Sequence, residues 1–504
     1  MGLLGVAVRA LLIYPEYPET FWNFKYALKF IAKRATYPPL GLLTIAALLP
    51  SDWEQRLIDM NTTSLRDEDL RWADIVLLSA MSIQQTSVRE VIDRCKAQGV
   101  KIVAGGPLFT STPDEFAGVD YLVLNEAETT LPAFLRDFAV GQARHCYTSV
   151  ELADLNTSPI PRWDLVRMKQ YVSMNLQLSR GCPYDCEFCN ITTLFGRAPR
   201  MKSAAQVIAE LNRLYELGWR GSVFFVDDNL IGNKKKIKRE ILPAMIEWMK
   251  ERKYPFFLNS QVSINLADDD ELLELITQAG FNTVFIGIES PNEESLAECN
   301  KIPNKGRDLM AGIRKLQRHG LQVQAGFIVG FDNDPASIFE RLIAFIQESG
   351  IVTAMVGLLN APHGTRLYQR LQTEDRLLGE MTGDNTDYSL NFVPKMNIDI
   401  LLNGYRNIIE SIYSPNAYYQ RLKQFLKEFR PGRQRVWDFR LRYVFAAVKM
   451  MVVLGMLEKE RMYYWRLFFW AMVNRPRLLP LAIALTAYGF HFRKCFEQHS
   501  RVTS

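Results

Sequence analysis

The sequence predicts an α/β protein in three parts: a Rossmann-like N-terminal domain, a central partial (β/α)6 barrel and a mostly helical C-terminal extension. Three observations carry this. Five short apolar runs alternate with helical stretches over residues 1–145. Six more runs, ending in polar or glycine residues, alternate with helices over 171–372. From 373 onward the strand pattern stops and apolar residues recur at helical spacing. At 504 residues the chain exceeds one ordinary core, and 48% hydrophobic with 23% charged residues indicates a folded globular protein rather than a disordered or fibrous one.

The N-terminal elements follow in order. Residues 8–15 form a buried strand ending at a proline, and 40–49 a helix. Strands follow at 55–60, 74–80, 101–107 and 121–124, with helices over about 85–98 and from about 128. Short apolar strands separated by helices imply a parallel, doubly wound sheet whose ligands bind beyond the carboxyl ends of the strands. Turn-forming residues collect there: Ser79, Met81 and Ser82; Gly105, Gly106 and Pro107; Asn125 and Glu126. Small residues let a bulky ligand approach the backbone. Residues 1–6 lead directly into the first strand without a basic leader or export cleavage pattern. Residues 146–170 read as a connector with a turn-rich centre at 156–161.

The central strands are expected at 175–179, 222–226, 255–259, 283–288, 323–331 and 351–360. Helices at about 203–217, 235–252, 268–279, 305–319 and 335–349 separate them. Such units build a parallel barrel whose functional face lies at the strand C-termini. Asp227 and Asp228 stand at the second such end, Ser260 and Gln261 at the third, and Glu289 and Ser290 at the fourth; Gly326 lies in the fifth strand. An aspartate at such an end also caps a helix, and a strand glycine also serves packing, so both readings stay open for Asp227, Asp228 and Gly326.

The tail reads as a loop at 384–396 and helices at about 399–413, 415–429, 434–457, 459–474 and 477–495. Its longest uncharged run, residues 478–492, is shorter than the roughly 20 residues a spanning helix needs. Residues 421–504 carry 17 Lys+Arg against 5 Asp+Glu, a net +12 on a remainder of net −7. Such a basic, aromatic tail either caps the barrel mouth or docks at an anionic membrane surface; nucleic acid is not expected.

The densest chemistry follows the first central strand: Arg180-Gly181-Cys182-Pro183-Tyr184-Asp185-Cys186-Glu187-Phe188-Cys189. Three of seven cysteines fall within eight residues, spaced C-x-x-x-C-x-x-C. Clustered thiols in a long, cysteine-poor chain suggest a metal site or redox chemistry rather than a disulfide scaffold. Zinc sites usually close with four ligands in C-x-x-C pairs, and no second pair is present. Iron–sulfur clusters take thiolates, and three on a four-iron cluster leave one iron open.

This stretch resembles the signature of the radical S-adenosylmethionine (SAM) superfamily, with Phe188 at the aromatic position before the third cysteine. The resemblance implies that Cys182, Cys186 and Cys189 hold a 4Fe–4S cluster and that SAM binds its open iron. One-electron cleavage of SAM would then give a hydrogen-abstracting 5′-deoxyadenosyl radical, the electron coming from a donor of flavodoxin or ferredoxin type. It also implies SAM contacts from Asp227, Asp228, Ser260, Gln261, Glu289 and Ser290, with Gly326 near the adenine, and it assigns no catalytic side chain.

A Rossmann-like domain directly before this motif resembles the cobalamin-binding domain of cobalamin-dependent radical-SAM enzymes, with Asn125 where glycine is usual. On that resemblance the turns named above, from Ser79 to Glu126, contact cobalamin. The Asp-x-His-x-x-Gly loop of many cobalamin modules is absent. Residues 1–144 hold no histidine, so cobalamin would lack an imidazole ligand from this domain. The tail resembles the extension of a group that includes hopanoid methylases. The expectation is methyl transfer to an unactivated carbon of a small, apolar, isoprenoid- or lipid-like substrate. A cyclase or oxidase with the same cofactors and a non-catalytic cobalamin- or redox-sensing module are the alternatives. Cysteine scarcity and an oxygen-sensitive cluster favour a reducing cytoplasm, with the basic tail at the inner membrane face as a peripheral contact.

Overall fold

A computed structural model describes residues 8–384, 386–432 and 441–502, the side chains of 441–443 and 498–502 excepted. The expectations for residues 1–7 and for a helix beginning at 434 lie outside the described residues.

The first sheet comprises β1 (Arg9–Tyr14), β2 (Glu54–Asp59), β3 (Ile75–Ser79), β4 (Lys101–Gly105), β5 (Tyr121–Val123) and β6 (Cys146–Tyr147). All pairs are parallel, in the order β2-β1-β3-β4-β5-β6. Both faces are buried, which is why the strands read as continuous apolar runs rather than alternating ones. Leu11, Ile13, Val76 and Leu78 pack on one side, beneath helix α1 (Gln85–Ala97). Ala10, Leu12, Ile75 and Leu77 pack on the other, with helix α2 (Ala127–Ala139). The sequence places 146–147 in the connector. These residues instead extend the sheet beside β5, and a two-residue strand is too short to show a period.

The second sheet uses β7 (Ser173–Leu176), and beyond it come two short strands, β8 (Ser179–Arg180) and β9 (Arg200–Met201). It continues with β10 (Gly221–Phe225), β11 (Phe256–Gln261), β12 (Phe281–Glu289), β13 (Gln322–Val329) and β14 (Ala354–Leu358). The six long strands are parallel in the order β14-β13-β12-β11-β10-β7, the expected open barrel. The expected first strand divides: 179–180 leaves the sheet to form an antiparallel ribbon with β9. That ribbon closes the base of the cysteine loop.

Helices cover the outer face, among them α3 (Ala204–Glu216) and α4 (Ile338–Ser349). After α5 (Arg366–Thr373), the tail packs on the last barrel strand. In α6 (Ile398–Tyr413), Tyr405 Oη donates to Val356 O (3.1 Å) and Tyr413 Oη to Ala354 O (2.6 Å), covering a strand edge that would otherwise stay open. Helices α7 (Pro415–Glu428), α8 (Leu441–Val452), α9 (Arg461–Asn474) and α10 (Leu479–Val502) follow. The last returns to the N-terminal part, where Phe492 stacks on Phe21 at 4.1 Å. No helix among the described residues is long and apolar enough to cross a membrane.

Candidate cofactor site at the strand ends

The cysteine loop leaves the ribbon through Gly181, whose φ is +92°. A side chain there would meet the carbonyls of Gly196, Phe195 and Ala198 at 2.9–3.1 Å, so only glycine fits. Cys182 N donates to Gly196 O and Cys189 N to Cys186 O, at 3.3 and 3.1 Å. Helix α5 grips the acidic residues between the thiols: Arg370 Nε donates to Glu187 at 2.7 Å and Arg366 to Asp185 at 3.0 Å. Phe188 leans on Phe331, ring centres 6.3 Å apart.

The three thiols are free and partly buried. Burial raises the pKa of each, that of Cys189 to about 12, and the neighbouring thiols add to the rise at Cys186 and Cys189 while the Lys301 ammonium opposes it at all three. Binding a soft metal centre would therefore release protons. Among the described residues no three metal-binding groups converge on a single ion. A cluster takes one thiolate per iron, so its ligands stand apart, and this all-thiol set fits a cluster better than a lone zinc ion.

The polar strand ends divide into bracing and facing groups. Asp227 is fully buried and accepts from Leu178 N (3.2 Å), Ser179 Oγ (2.5 Å) and Ser179 N. It braces the approach to the cysteines, and the following helix is capped by Asn233 instead. Asp228 accepts from Gly181 N at 3.3 Å. Burial pushes these carboxyls up to about 7 and about 6, respectively. Glu289 has φ +63° and holds Lys301 Nζ at 2.6 Å beside the thiols.

Ser260 corrects an expectation. Strand alternation sends it towards the helices, where its Oγ donates to Phe225 O at 2.8 Å, while Gln261 shares the inner face with Asn259. Ser290 is buried and its Oγ accepts from Asn292 N at 3.2 Å, which leaves its O–H to donate. Gly326 faces Phe285, whose ring a β-carbon would meet at 2.9 Å, so its small size serves packing.

At the first sheet, Gly105 and Gly106 pack against Val123 O and Ser79 Oγ so closely that a β-carbon would lie 2.4 and 2.5 Å away. Pro107 starts the short helix that follows. Met81 is half exposed and Ser82 begins a turn. This edge offers small residues and backbone to a flat ligand. Asn125 adopts a left-handed φ of +63°, which asparagine tolerates in place of glycine, and its Oδ1 accepts from Thr148 Oγ1 at 2.6 Å. Glu126 is engaged by Arg180 and Arg200 rather than open to a ligand. His145 immediately precedes β6, its Nδ1 3.0 Å from Asp120 O, away from the strand C-termini. Small residues and accessible backbone at this edge fit a bulky ligand.

Sequence reasoning missed Lys301, Gly287, Arg180 and Arg200. Arg180 borders the cysteine motif, a signal that could have found it; the other three carry no spacing signature.

Residues 32–135 match the B12 binding domain, 176–346 the Radical SAM superfamily and 365–503 a domain of unknown function. The chain is 39% identical over 492 residues to an uncharacterized methyltransferase of Synechocystis sp., covering 96% of this chain and 91% of that one. It is 34% identical over 418 residues to the hopanoid C-2 methylase of Rhodopseudomonas palustris, covering 82% and 78%. Two solved structures share the fold. The cobalamin-dependent SAM radical enzyme OxsB with aqua-cobalamin bound has a TM-score of 0.63 at 14% identity, over 98% of this chain and 80% of that one. The methyltransferase TsrM from Kitasatospora setae has 0.59 at 15%, over 73% and 78%. The cofactors are accordingly a 4Fe–4S cluster, SAM and cobalamin. By its domain order and its relatives, this chain belongs to the cobalamin-dependent radical SAM methyltransferases.

Proposed function

We propose that the protein methylates an unactivated carbon of an apolar, isoprenoid-like lipid. The observation that carries this reading is the barrel lumen. Phe224, Phe285 and Met355 alternate inward from three strands, and two aromatic residues from the N-terminal part join them. Trp22 Nε1 contacts Met355 Sδ at 2.9 Å and its ring lies edge-on to Phe285 at 5.4 Å; Tyr37 lies 5.1 Å from Phe224. These walls offer an apolar surface without an acid or base, beside the amides of Asn259 and Gln261. When bound, the cofactors supply a hydrogen-abstracting radical and a methyl group, which is the chemistry an inert C–H bond requires. The chain contributes three thiols to hold the cluster, carboxylates at Asp228 and Glu289, and the Lys301 ammonium. Together these offer charges of both signs to the amino and carboxylate groups of methionine.

Methyl transfer is favoured over ring formation by the relatives. The methyltransferases match at 39% and 34% identity, and an anaerobic magnesium-protoporphyrin IX monomethyl ester cyclase at 23%. Helices α8 and α9 expose Phe445, Val448, Met462 and Phe469 beside Arg461 and Arg466. We read that face as a peripheral membrane contact.

The test is anaerobic incubation of reconstituted protein with reductant, SAM bearing a deuterated methyl group, and isoprenoid lipid extract. One lipid should gain a CD3 group, with S-adenosylhomocysteine and 5′-deoxyadenosine formed in equal amounts. Deoxyadenosine accompanied by an oxidised or cyclised, unlabelled product would overturn the proposal.

A further inference from the structure

We propose that Arg180, Arg200, Glu126 and Glu128 form a latch that fixes the cobalamin-binding domain against the cysteine loop, with Arg180 as a positioning residue. Arg180 Nη1 donates to Glu126 Oε1 at 2.7 Å and Glu128 Oε2 at 3.0 Å, and its Nη2 donates to Glu128 Oε1 at 2.7 Å. Arg200 Nη1 donates to Glu126 Oε2 at 2.8 Å and to Ala153 O at 2.6 Å. The carboxylates are almost fully covered, with side chains 2% and 5% exposed. Their remaining capacity is filled by Ala153 N and Ser158 Oγ, at 2.8 and 2.9 Å. Two cations and two anions cancel, so the buried group is stable complete and unstable with one member missing.

Placement gives the latch its role. Glu126 and Glu128 occupy the turn and first helical residues beyond β5, at the carboxyl edge of the first sheet. Arg180 immediately precedes Gly181, and Arg200 faces it across the β8–β9 ribbon. The two ends of the cysteine loop are therefore joined to each other and bolted to the opposite domain. The reaction needs two groups carried by two separate domains, so their separation must be held. A bidentate guanidinium fork sets both distance and angle, which a lysine does not.

The experiment compares wild type, Arg180→Lys and Glu128→Gln, each loaded with cluster and cobalamin. The latch predicts unchanged iron, sulfide and cobalamin content. In the paramagnetic resonance spectrum of the reduced cluster beside cob(II)alamin, both variants should lose spin coupling, giving the sum of the isolated signals. In the protein without cofactors, amide exchange over 126–128, 153–158 and 197–202 should rise at least tenfold. Wild-type coupling and exchange in both variants would overturn the proposal. So would loss of the cluster in Glu128→Gln, which would mean that the network builds the loop rather than spacing the domains.

Discussion

A methyl group on Gly287 would stand 2.2 Å from Glu289 Oε1 and 2.8 Å from Lys301 Nζ. Glycine here makes room for the ion pair beside the cysteines. The β12–β13 register shifts between Gly287 and Glu289, a bulge that re-aims the Glu289 side chain. Gly287→Ala should displace the pair; because the atoms it meets end two flexible side chains, the cost should sit at the low end of overpacking, about 1 kcal/mol. A lowered urea midpoint would show this, and calorimetric titration should show weaker SAM binding. A variant with wild-type values in both would mean that the pair relocates freely. Lys301 was illegible in the sequence because a bulge joins it to the site. Cys182, Cys186 and Cys189 were legible because their relation is local spacing. Ser260 and Gln261 illustrate the intermediate case: their strand was legible, but not which of two adjacent residues faces inward.

Among the elements, those with a full period were readable and the two-residue strands were not. β6, β8 and β9 are defined by partners distant in sequence, as with Arg180 opposite Arg200. Helix α10 runs past the expected end at 495 to Val502. Its seat on the N-terminal segment carries a pH dependence. His491 is fully buried, with Nε2 3.0 Å from Phe21 O, and burial lowers its pKa to about 4. The unfolded ring takes its proton near 6.5, so stability from the neutral ring is present above that pH and lost as pH falls towards 4. The effect is at most about 3 kcal/mol. Melting followed by helical circular dichroism should fall in temperature from pH 7 to 4.5. The fall should be smaller in His491→Gln, which keeps a donor for Phe21 O without titrating in this range. Equal pH profiles would rule out His491 as the cause.

At the scale of the molecule, the tail presents two kinds of helix, which its sequence did not separate. Helices α6 and α7 face inward: Tyr405, Tyr413, Tyr418 and Leu422 are buried against the barrel edge and each other. Helices α8 and α9 bury one face and leave the other apolar, with Phe445, Met462 and Val473 exposed by 73%, 63% and 75%. Periodicity could not separate these cases, because an apolar stripe looks the same whether protein or lipid covers it. On the proposed membrane contact, the exposed cations beside these side chains would each add about 1 kcal/mol at an anionic surface. Wild-type protein should co-sediment with vesicles containing phosphatidylglycerol at low salt and bind phosphatidylcholine vesicles weakly. Phe445→Ser with Met462→Ser should lower partitioning at least tenfold while leaving the melting temperature within a few degrees, since both side chains already face solvent. Salt should weaken the wild type without abolishing its binding, because the apolar contribution is unscreened. Absence of binding at low salt would remove the membrane from the proposed function and leave the lipid to reach the lumen by another route.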